Sequence, residues 1–285
     1  MRAPGPGAAF GAVHNTHFCI PDPAKGRMRY VVFNQKGGVG KSTITCNLAA
    51  ISAHQGRRTL VVDLDSQGNS TRYLLGAGAD DAGEGAAGFF GQSLKFTVRP
   101  KESADFIIET PWEGLHIMPS SVELEELHGK LESRYKIYKL RDALAELETS
   151  YDAVYIDTPP ALNFYTRSAL IAAQRCLIPF DCDDFSRRAL YSLLENVQEI
   201  QADHNRGLEV GGIVVNQFQP RANLPQRLVQ ELIDEGLPVL QPYLSASVKI
   251  KESHDLARPM IHMDARHKLT HEFVALHDEL ARPAR

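Results

Sequence analysis

The 285-residue sequence lacks a long hydrophobic run, a closely spaced cysteine pair and a strong excess of charge of either sign. Without about 18 consecutive apolar residues, a membrane-spanning helix is not expected. The amino-terminal stretch has too short an apolar core for a secretory signal. The formal net charge of −4 creates no overall field that attracts nucleic acid, so such binding would need a local basic surface. We therefore expect a soluble, cytoplasmic protein.

The four cysteines, Cys19, Cys46, Cys176 and Cys182, form no C-x-x-C pair. Cys46 and Cys176 lie in apolar stretches, where a reduced thiol behaves as a small hydrophobic side chain. This cysteine usage is typical of a reducing cytoplasm.

Two regions differ in composition. Residues 1–27 are rich in Gly, Ala and Pro and have neither helical nor strand periodicity, so we predict a disordered tail. From residue 28, continuous apolar, β-rich runs alternate with helical stretches. Continuous rather than alternating runs indicate strands buried on both faces. We predict a single α/β domain over residues 28–285, with a doubly wound, mostly parallel sheet and helices on both faces.

The predicted strands are Tyr30–Phe33, Thr59–Asp63, Leu115–Met118, Ala153–Asp157, Cys176–Phe180, Gly212–Asn216 and Val239–Leu240. The predicted helices are Ser42–His54, Ser121–Ser133, Tyr138–Thr149, Asn163–Gln174, Arg187–Asp203, Leu224–Glu235 and Lys268–Ala281. Gly and Ala dominate Gly76–Gly91, which we predict to be a mobile loop.

The first predicted strand runs into a glycine- and lysine-rich loop that is followed by a helix. Glycines let backbone N–H groups point inward, and the helix N-terminus adds positive potential, so this loop is suited to phosphates. In such a loop Lys41 contacts the β- and γ-phosphates and Ser42 ligates Mg²⁺. The predicted nucleotide contacts of the loop are Gly37, Gly38, Val39, Gly40, Lys41, Ser42 and Thr43.

The loop departs from the ordinary pattern G-x-x-x-x-G-K-[ST], because Gln35 replaces the first glycine and Lys36 adds a second lysine. The sequence K-G-G-V-G-K-S-T resembles the deviant Walker A motif of the ParA/MinD superfamily, and the resemblance covers residues 28–281. It implies an ATPase that binds ATP and Mg²⁺ and dimerises around the nucleotide. In that dimer, Lys36 crosses to the partner's nucleotide.

Further motifs extend the resemblance. Asp65 lies in a segment similar to D-x-D-P-Q-G-N, with Ser66 in place of proline, and is implied to orient the attacking water. Asp157, at the end of an apolar strand, is implied to hold Mg²⁺ through a water. Asn216 is a candidate adenine contact, and a second contact, at Pro242 or Ser245, stays open.

The carboxyl-terminal part of the sequence indicates which branch of the superfamily the chain resembles. Leu269, Phe273, Leu276 and Leu280 form an apolar stripe whose opposite face carries both charge signs, which predicts a helix packed on its own domain and not a membrane anchor. Iron–sulfur relatives need cysteine ligands that this sequence lacks. The segments R-A-N-L, from Arg221, and V-K-I-K-E-S, from Val248, resemble segments of ParA proteins, which implies non-specific DNA binding by Arg221 and Lys249. Lys251 extends this predicted basic patch.

The resemblance therefore implies a switch ATPase. ATP closes a homodimer on nucleoid DNA, and a ParB-like or cargo-adaptor partner stimulates slow hydrolysis, so that DNA is segregated or positioned. One alternative is a positioner of protein cargo, such as chemoreceptor arrays. Another is a metabolic P-loop phosphotransferase. The sequence does not distinguish the switch ATPase that moves DNA from the positioner of protein cargo.

Overall fold

The computed structural model describes residues 27–183 and 186–281. Its strands are β1 Met28–Val32, β2 Thr59–Asp63, β3 Ile108–Glu109, β4 Leu115–Met118, β5 Ala153–Asp157, β6 Arg175–Asp181 and β7 Glu209–Asn216. They form one seven-stranded sheet in the order β3-β4-β2-β5-β1-β6-β7. Every pairing in it is parallel except that of β3 with β4. The predicted fold class is confirmed.

The α-helices are α1 Lys41–His54, α2 Asn69–Leu75, α3 Gly85–Gln92, α4 Glu123–Ser133, α5 Lys139–Glu146, α6 Phe164–Ala172, α7 Ser186–Asp203, α8 Asn223–Asp234, α9 Lys249–Asp255, α10 Met260–Met263 and α11 Lys268–Leu280. Short 3-10 turns cover Gly76–Asp81, Ser103–Phe106, Lys136–Tyr138 and Leu147–Thr149. Among the described residues, no helix is long and apolar enough to cross a membrane.

Two hydrophobic cores lie on opposite faces of the sheet, because successive side chains of a strand point to opposite sides. In β1, Val31 belongs to the core that also holds side chains of α3 to α8. Tyr30 and Val32 belong to the other core, together with side chains of α1, α2 and α11. Both faces of the central strands are therefore covered, as their continuous apolar runs predict.

Helix α11 packs on the same domain, as its pattern predicts. Leu269, Phe273, Leu276 and Leu280 are all buried in the core that contains α1. At its far end, the carbonyl oxygen of Leu280 accepts hydrogen bonds from the Tyr30 hydroxyl at 3.3 Å and from Arg175 Nη1 at 3.0 Å.

Most predicted elements are present within a few residues of their predicted bounds. The predicted strand Val239–Leu240 is wrong: Val239 makes only an isolated bridge to Ile213, and its segment does not continue as a strand. Four short elements, α2, α9, α10 and β3, were not predicted, because each is too short to show a period. The predicted tail, residues 1–27, lies outside the described residues except for Arg27.

The prediction of a mobile loop over Gly76–Gly91 is also wrong, because this segment contains a 3-10 turn and most of α3. Ala86 and Ala87 are buried, and a Cβ on Gly85 would overlap the carbonyl oxygen of Pro119. The small residues therefore allow a helix to approach neighbouring backbone closely. The Gly- and Ala-rich composition reflects close packing at this position.

Replacing Gly85 tests this explanation. Gly83 and Gly85 both have positive φ, 77° and 43°, but a Cβ on Gly83 would meet no atom within 4 Å. We expect Gly83→Ala to lower the free energy of unfolding by about 1 kcal/mol through backbone strain alone. Gly85→Ala should cost about 1–3 kcal/mol more, because its methyl group overlaps backbone atoms. Urea denaturation measures both, and equal losses would contradict the packing argument.

Candidate nucleotide-binding site

The predicted site residues gather at one edge of the sheet, where the parallel strands end at their carboxyl termini. The loop of residues 33–40 follows β1, Asp157 ends β5 and Asn216 ends β7. Asp65 follows β2 by two residues. Ligand sites of open parallel sheets lie at this edge.

The loop between β1 and α1 has the backbone of a phosphate cradle. Gly38 and Gly40 have φ of 77° and 91°, the left-handed region that favours glycine. Gly40 is also the N-cap residue of α1, and no side chain caps this 14-residue helix. Its first backbone N–H groups therefore have no capping acceptor, which makes the helix start suited to an anion.

Lys41 supplies a cation directly behind this cradle. It is 7% exposed, and its Nζ donates a hydrogen bond to the carbonyl oxygen of Lys36 at 3.1 Å. Burial lowers the pKa of Lys41, while the charges of Asp157 and Asp65 act to raise it. A buried ammonium group that contacts one backbone carbonyl fits a site for phosphate oxygens.

Ser42 and Asp157 form the candidate magnesium ligands. The Asp157 carboxylate accepts a hydrogen bond from the Ser70 hydroxyl at 2.7 Å and from the Thr158 N–H at 3.1 Å. Burial raises the pKa of Asp157, and hydrogen bonds from Ser42 and Ser70 act to lower it. A hydroxyl and a carboxylate side by side are the oxygen donors that Mg²⁺ prefers, so these residues fit the metal.

Asp63 is a buried carboxylate whose role the sequence did not reveal. It accepts hydrogen bonds from the backbone N–H and the hydroxyl of Thr71, at 2.8 and 2.7 Å, and from the Asp65 N–H at 3.1 Å. Burial and the nearby charge of Asp157 raise the pKa of Asp63. This acid therefore fixes the start of α2 and the position of Asp65.

Asp65 itself lies at the edge of the site and is 6% exposed. Its carbonyl oxygen accepts a hydrogen bond from the Ser120 hydroxyl at 2.6 Å, and its carboxylate accepts one from the Gln67 N–H at 3.1 Å. The backbone is thus held more firmly than the side chain, which suits a carboxylate that orients a water molecule.

Lys36 lies on the outer side of the loop and is paired within its own chain. Its Nζ forms an ion pair with Asp183 and lies 3.7 Å from Asp181. The three side chains are about one third or more exposed, so solvent screens these pairs to roughly 1 kcal/mol or less. Lys36 can therefore be released from its own acids at small cost.

Asn216 touches the phosphate loop. Its Nδ2 donates a hydrogen bond to the Val39 carbonyl oxygen at 2.9 Å, and a Cβ on Gly40 would overlap this amide. Ser245, one candidate for the second adenine contact, donates its hydroxyl and its N–H to Glu272 at 2.7 and 2.8 Å. The adenine roles of Asn216, Ser245 and Pro242 stay predictions.

The three candidate DNA-binding cations lie on two neighbouring segments. A backbone bridge between Phe218 and Ser245 brings the segment of Arg221 next to the one that leads into α9. Lys249 forms an ion pair with Glu252 at 2.6 Å. Arg221 and Lys251 are exposed, and within the part of the chain that the structure describes neither forms an ion pair.

Two further residues, Asn34 and Ser70, shape the site and were not among the predicted site residues. Asn34 donates through Nδ2 to the Pro179 carbonyl oxygen at 2.7 Å and accepts from the Lys36 N–H at 2.9 Å, so it ties the loop to β6. Ser70 holds Asp157, as described above. A search for hydroxyl residues shortly after the D-x-D segment would have found Ser70.

Comparisons with known proteins show what the chain is similar to. Residues 28–210 match the family model AAA_31, described as an AAA domain. The chain is 31% identical to the chromosome partitioning protein ParA of Myxococcus xanthus, over 87% of this chain and 86% of that protein. It is 32% identical to the chromosome-partitioning ATPase Soj of Treponema pallidum, over 86% of this chain and 96% of that protein.

Solved structures share the fold. A Mycobacterium smegmatis protein described as cobyrinic acid a,c-diamide synthase, crystallised with an ATP analogue and magnesium, superimposes with a TM-score of 0.76. It is 26% identical and covers 88% of this chain and 93% of its own. The cell division ATPase MinD of Pyrococcus furiosus, 21% identical, superimposes with a TM-score of 0.72 over 90% of this chain and 98% of its own.

The contrast between Asp63 and Asp65 can be measured. We expect Asp63→Ala to lower the free energy of unfolding by about 2–4 kcal/mol, because three buried donors lose their acceptor. Asp65→Ala should cost about 1 kcal/mol or less, since a single backbone N–H loses its partner. Urea denaturation without nucleotide compares the two variants. Equal losses would show that Asp63 does not have the structural role assigned to it.

Proposed function

The chain belongs to the ParA/MinD-type family of P-loop ATPases, and on that premise we propose that it is an ATP-dependent dimerising switch. It binds ATP and Mg²⁺ and hydrolyses ATP slowly. The observation that carries the proposal is the pairing of two lysines in one loop, a buried Lys41 behind the phosphate cradle and a releasable Lys36 on its outer side.

The side chains have separate tasks in this proposal. Lys41 and the first N–H groups of α1 bind the phosphates. Ser42 would hold Mg²⁺ directly and Asp157 would hold it through a water, and the ion, when bound, neutralises phosphate charge. Asp65 accepts a hydrogen bond from the attacking water and orients it in line with the γ-phosphate. Phosphoryl transfer needs positioning and charge neutralisation, and these residues supply both.

Dimerisation depends on Lys36. Its present partners, Asp181 and Asp183, are partly exposed, so the pairs contribute little. A phosphate group in a site that excludes water binds an ammonium group more strongly than a screened carboxylate does. Lys36 therefore leaves Asp181 and Asp183 when a second subunit presents its nucleotide. The bound ATP then holds the two subunits together.

The dimer then binds DNA without sequence preference through Arg221, Lys249 and Lys251. Their segments adjoin at the edge of the sheet that also holds the nucleotide. Two relatives described as chromosome-partitioning proteins support a role in segregating or positioning DNA on the nucleoid, in the cytoplasm. A partner protein, ParB-like or a cargo adaptor, stimulates hydrolysis and releases the DNA.

Two substitutions separate dimerisation from hydrolysis. With Lys36→Ala we expect ATP to bind to monomers that do not associate, because the cross-subunit contact is missing. With Asp65→Ala we expect a long-lived ATP dimer and a hydrolysis rate at least about tenfold lower, since the water is no longer oriented. Light scattering and phosphate release with ATP measure both properties.

The control for this pair is Lys41→Ala, which should bind no ATP in a calorimetric titration, because the charge behind the phosphates is gone. Dimerisation and turnover at the wild-type level in both Lys36→Ala and Asp65→Ala would overturn the cross-subunit mechanism.

DNA binding has its own test. We expect it to require ATP, to ignore base sequence and to weaken steeply with salt, because a dimer doubles the number of phosphate contacts. The double variant Arg221→Glu, Lys249→Glu should lose DNA binding and keep ATP-driven dimerisation. Fluorescence anisotropy at two salt concentrations, with ATP and with ADP, measures this.

The matched control changes the net charge equally at two other exposed cations, Lys139→Glu with Arg206→Glu. Equal DNA affinity in the two double variants would mean that Arg221 and Lys249 have no special role in DNA binding.

A further inference from the structure

One side chain of the phosphate loop is joined directly to the segment that carries the candidate DNA-binding lysines. The hydroxyl of Thr43 and Nε2 of His254 lie 2.9 Å apart, within hydrogen-bond distance. Thr43 lies in the first turn of α1, two residues after Lys41, whereas His254 belongs to α9. The two residues are 211 positions apart in sequence, so the contact exists only through the tertiary fold.

The imidazole of His254 is held in place by a second contact. Its ring stacks on Tyr73, with centroids 4.0 Å apart and planes at 15°. The Tyr73 hydroxyl lies 2.5 Å from Oγ of Ser253, the residue before the histidine, and accepts a hydrogen bond from Asn47 Nδ2 at 3.1 Å. Because Tyr73 and Ser253 are fully or almost fully buried, α9 is docked on α1 and α2 through a defined set of side chains.

The chemistry of the two groups makes the contact sensitive to a ligand in the loop. Burial lowers the pKa of His254, which favours a neutral ring with one donor and one acceptor nitrogen. The Thr43 hydroxyl has a single proton. If the Thr43 hydroxyl donates its hydrogen bond to a phosphate oxygen, it can only accept a hydrogen bond from His254, and Nε2 must carry the hydrogen. A bound phosphate therefore selects one arrangement of the pair and strengthens it.

Helix α9 is short enough to respond as a unit. It has seven residues and begins at Lys249, five positions before His254, with Lys251 between them. A change at His254 is therefore transmitted to both lysines without an intervening loop.

We propose that His254 is a positioning residue that couples the phosphate loop to α9, so that nucleotide bound at Thr43 fixes the helix that presents Lys249 and Lys251. This inference rests on the proposed nucleotide-binding function and adds the physical link between nucleotide and the DNA-binding surface. His254 itself touches neither reacting atoms nor DNA.

The test compares wild type with His254→Phe, which keeps a ring for stacking on Tyr73 and removes Nε2, and with His254→Gln, which restores an N–H donor. His271→Phe on the exposed side of α11 is the matched control. Amide hydrogen exchange of residues 249–258 is measured with and without ATP and Mg²⁺.

In wild type, His271→Phe and His254→Gln, we expect ATP to slow exchange in this segment by up to about fivefold, because strengthening an existing hydrogen bond contributes no more than the about 1 kcal/mol of a whole one. In His254→Phe the slowing should be absent although ATP still binds. His254→Leu serves the same purpose if the phenylalanine variant does not fold.

Equal slowing in wild type and His254→Phe, or no slowing in wild type, would overturn the coupling. A second measurement separates this result from the DNA proposal: the ratio of DNA affinities with ATP and with ADP should fall in His254→Phe. If wild type binds no DNA with either nucleotide, the DNA proposal fails, and the exchange data still decide the role of His254.

Discussion

Two carboxylates, Asp63 and Asp157, lie directly opposite each other in the register of β2 and β5, and both are fully buried. Leaving such groups without partners would cost several kcal/mol each. The surrounding structure supplies those partners: the hydroxyls of Ser70 and Thr71 and the nearby ammonium of Lys41. The start of α2 and the phosphate loop are therefore held together by the need to compensate two adjacent acids.

Features of the fold and of the candidate site could be predicted from the sequence where the residues that determine them lie close together along the chain. The strand–loop–helix unit of β1 and α1 was predictable, because the strand, the glycines at set spacing and the following helix are contiguous in sequence. Asp63 and Asp65 look equivalent in the D-x-D segment, and their different contacts appear only in the tertiary structure, where Asp63 accepts two hydrogen bonds from Thr71. The contact of His254 with Thr43 depends on tertiary packing and leaves no trace in spacing. At Gly85, composition misled, because close backbone contact and chain flexibility both favour glycine.

The contacts of Lys36 are suited to the exchange of partners that the proposed dimer requires. Buried salt bridges are costly to break, because each separated charge is left without its partner in a place that water does not reach. The pairs of Lys36 with Asp181 and Asp183 are exposed enough for water to replace either partner. The acids keep the lysine beside the loop, and their weak attraction allows it to exchange one anion for another. A fully buried pair at this position would oppose such exchange.

Helix α11 connects the two edges of the sheet. Near its start, Glu272 holds Ser245 beyond the carboxyl end of β7, and at its end Leu280 accepts hydrogen bonds from Tyr30 and Arg175 near the amino ends of β1 and β6. Residue 281 therefore lies on the side of the sheet away from the phosphate loop. A fluorophore or an affinity handle attached there would stand clear of the phosphate loop, and it would allow the proposed dimer to be followed without a probe beside the candidate site.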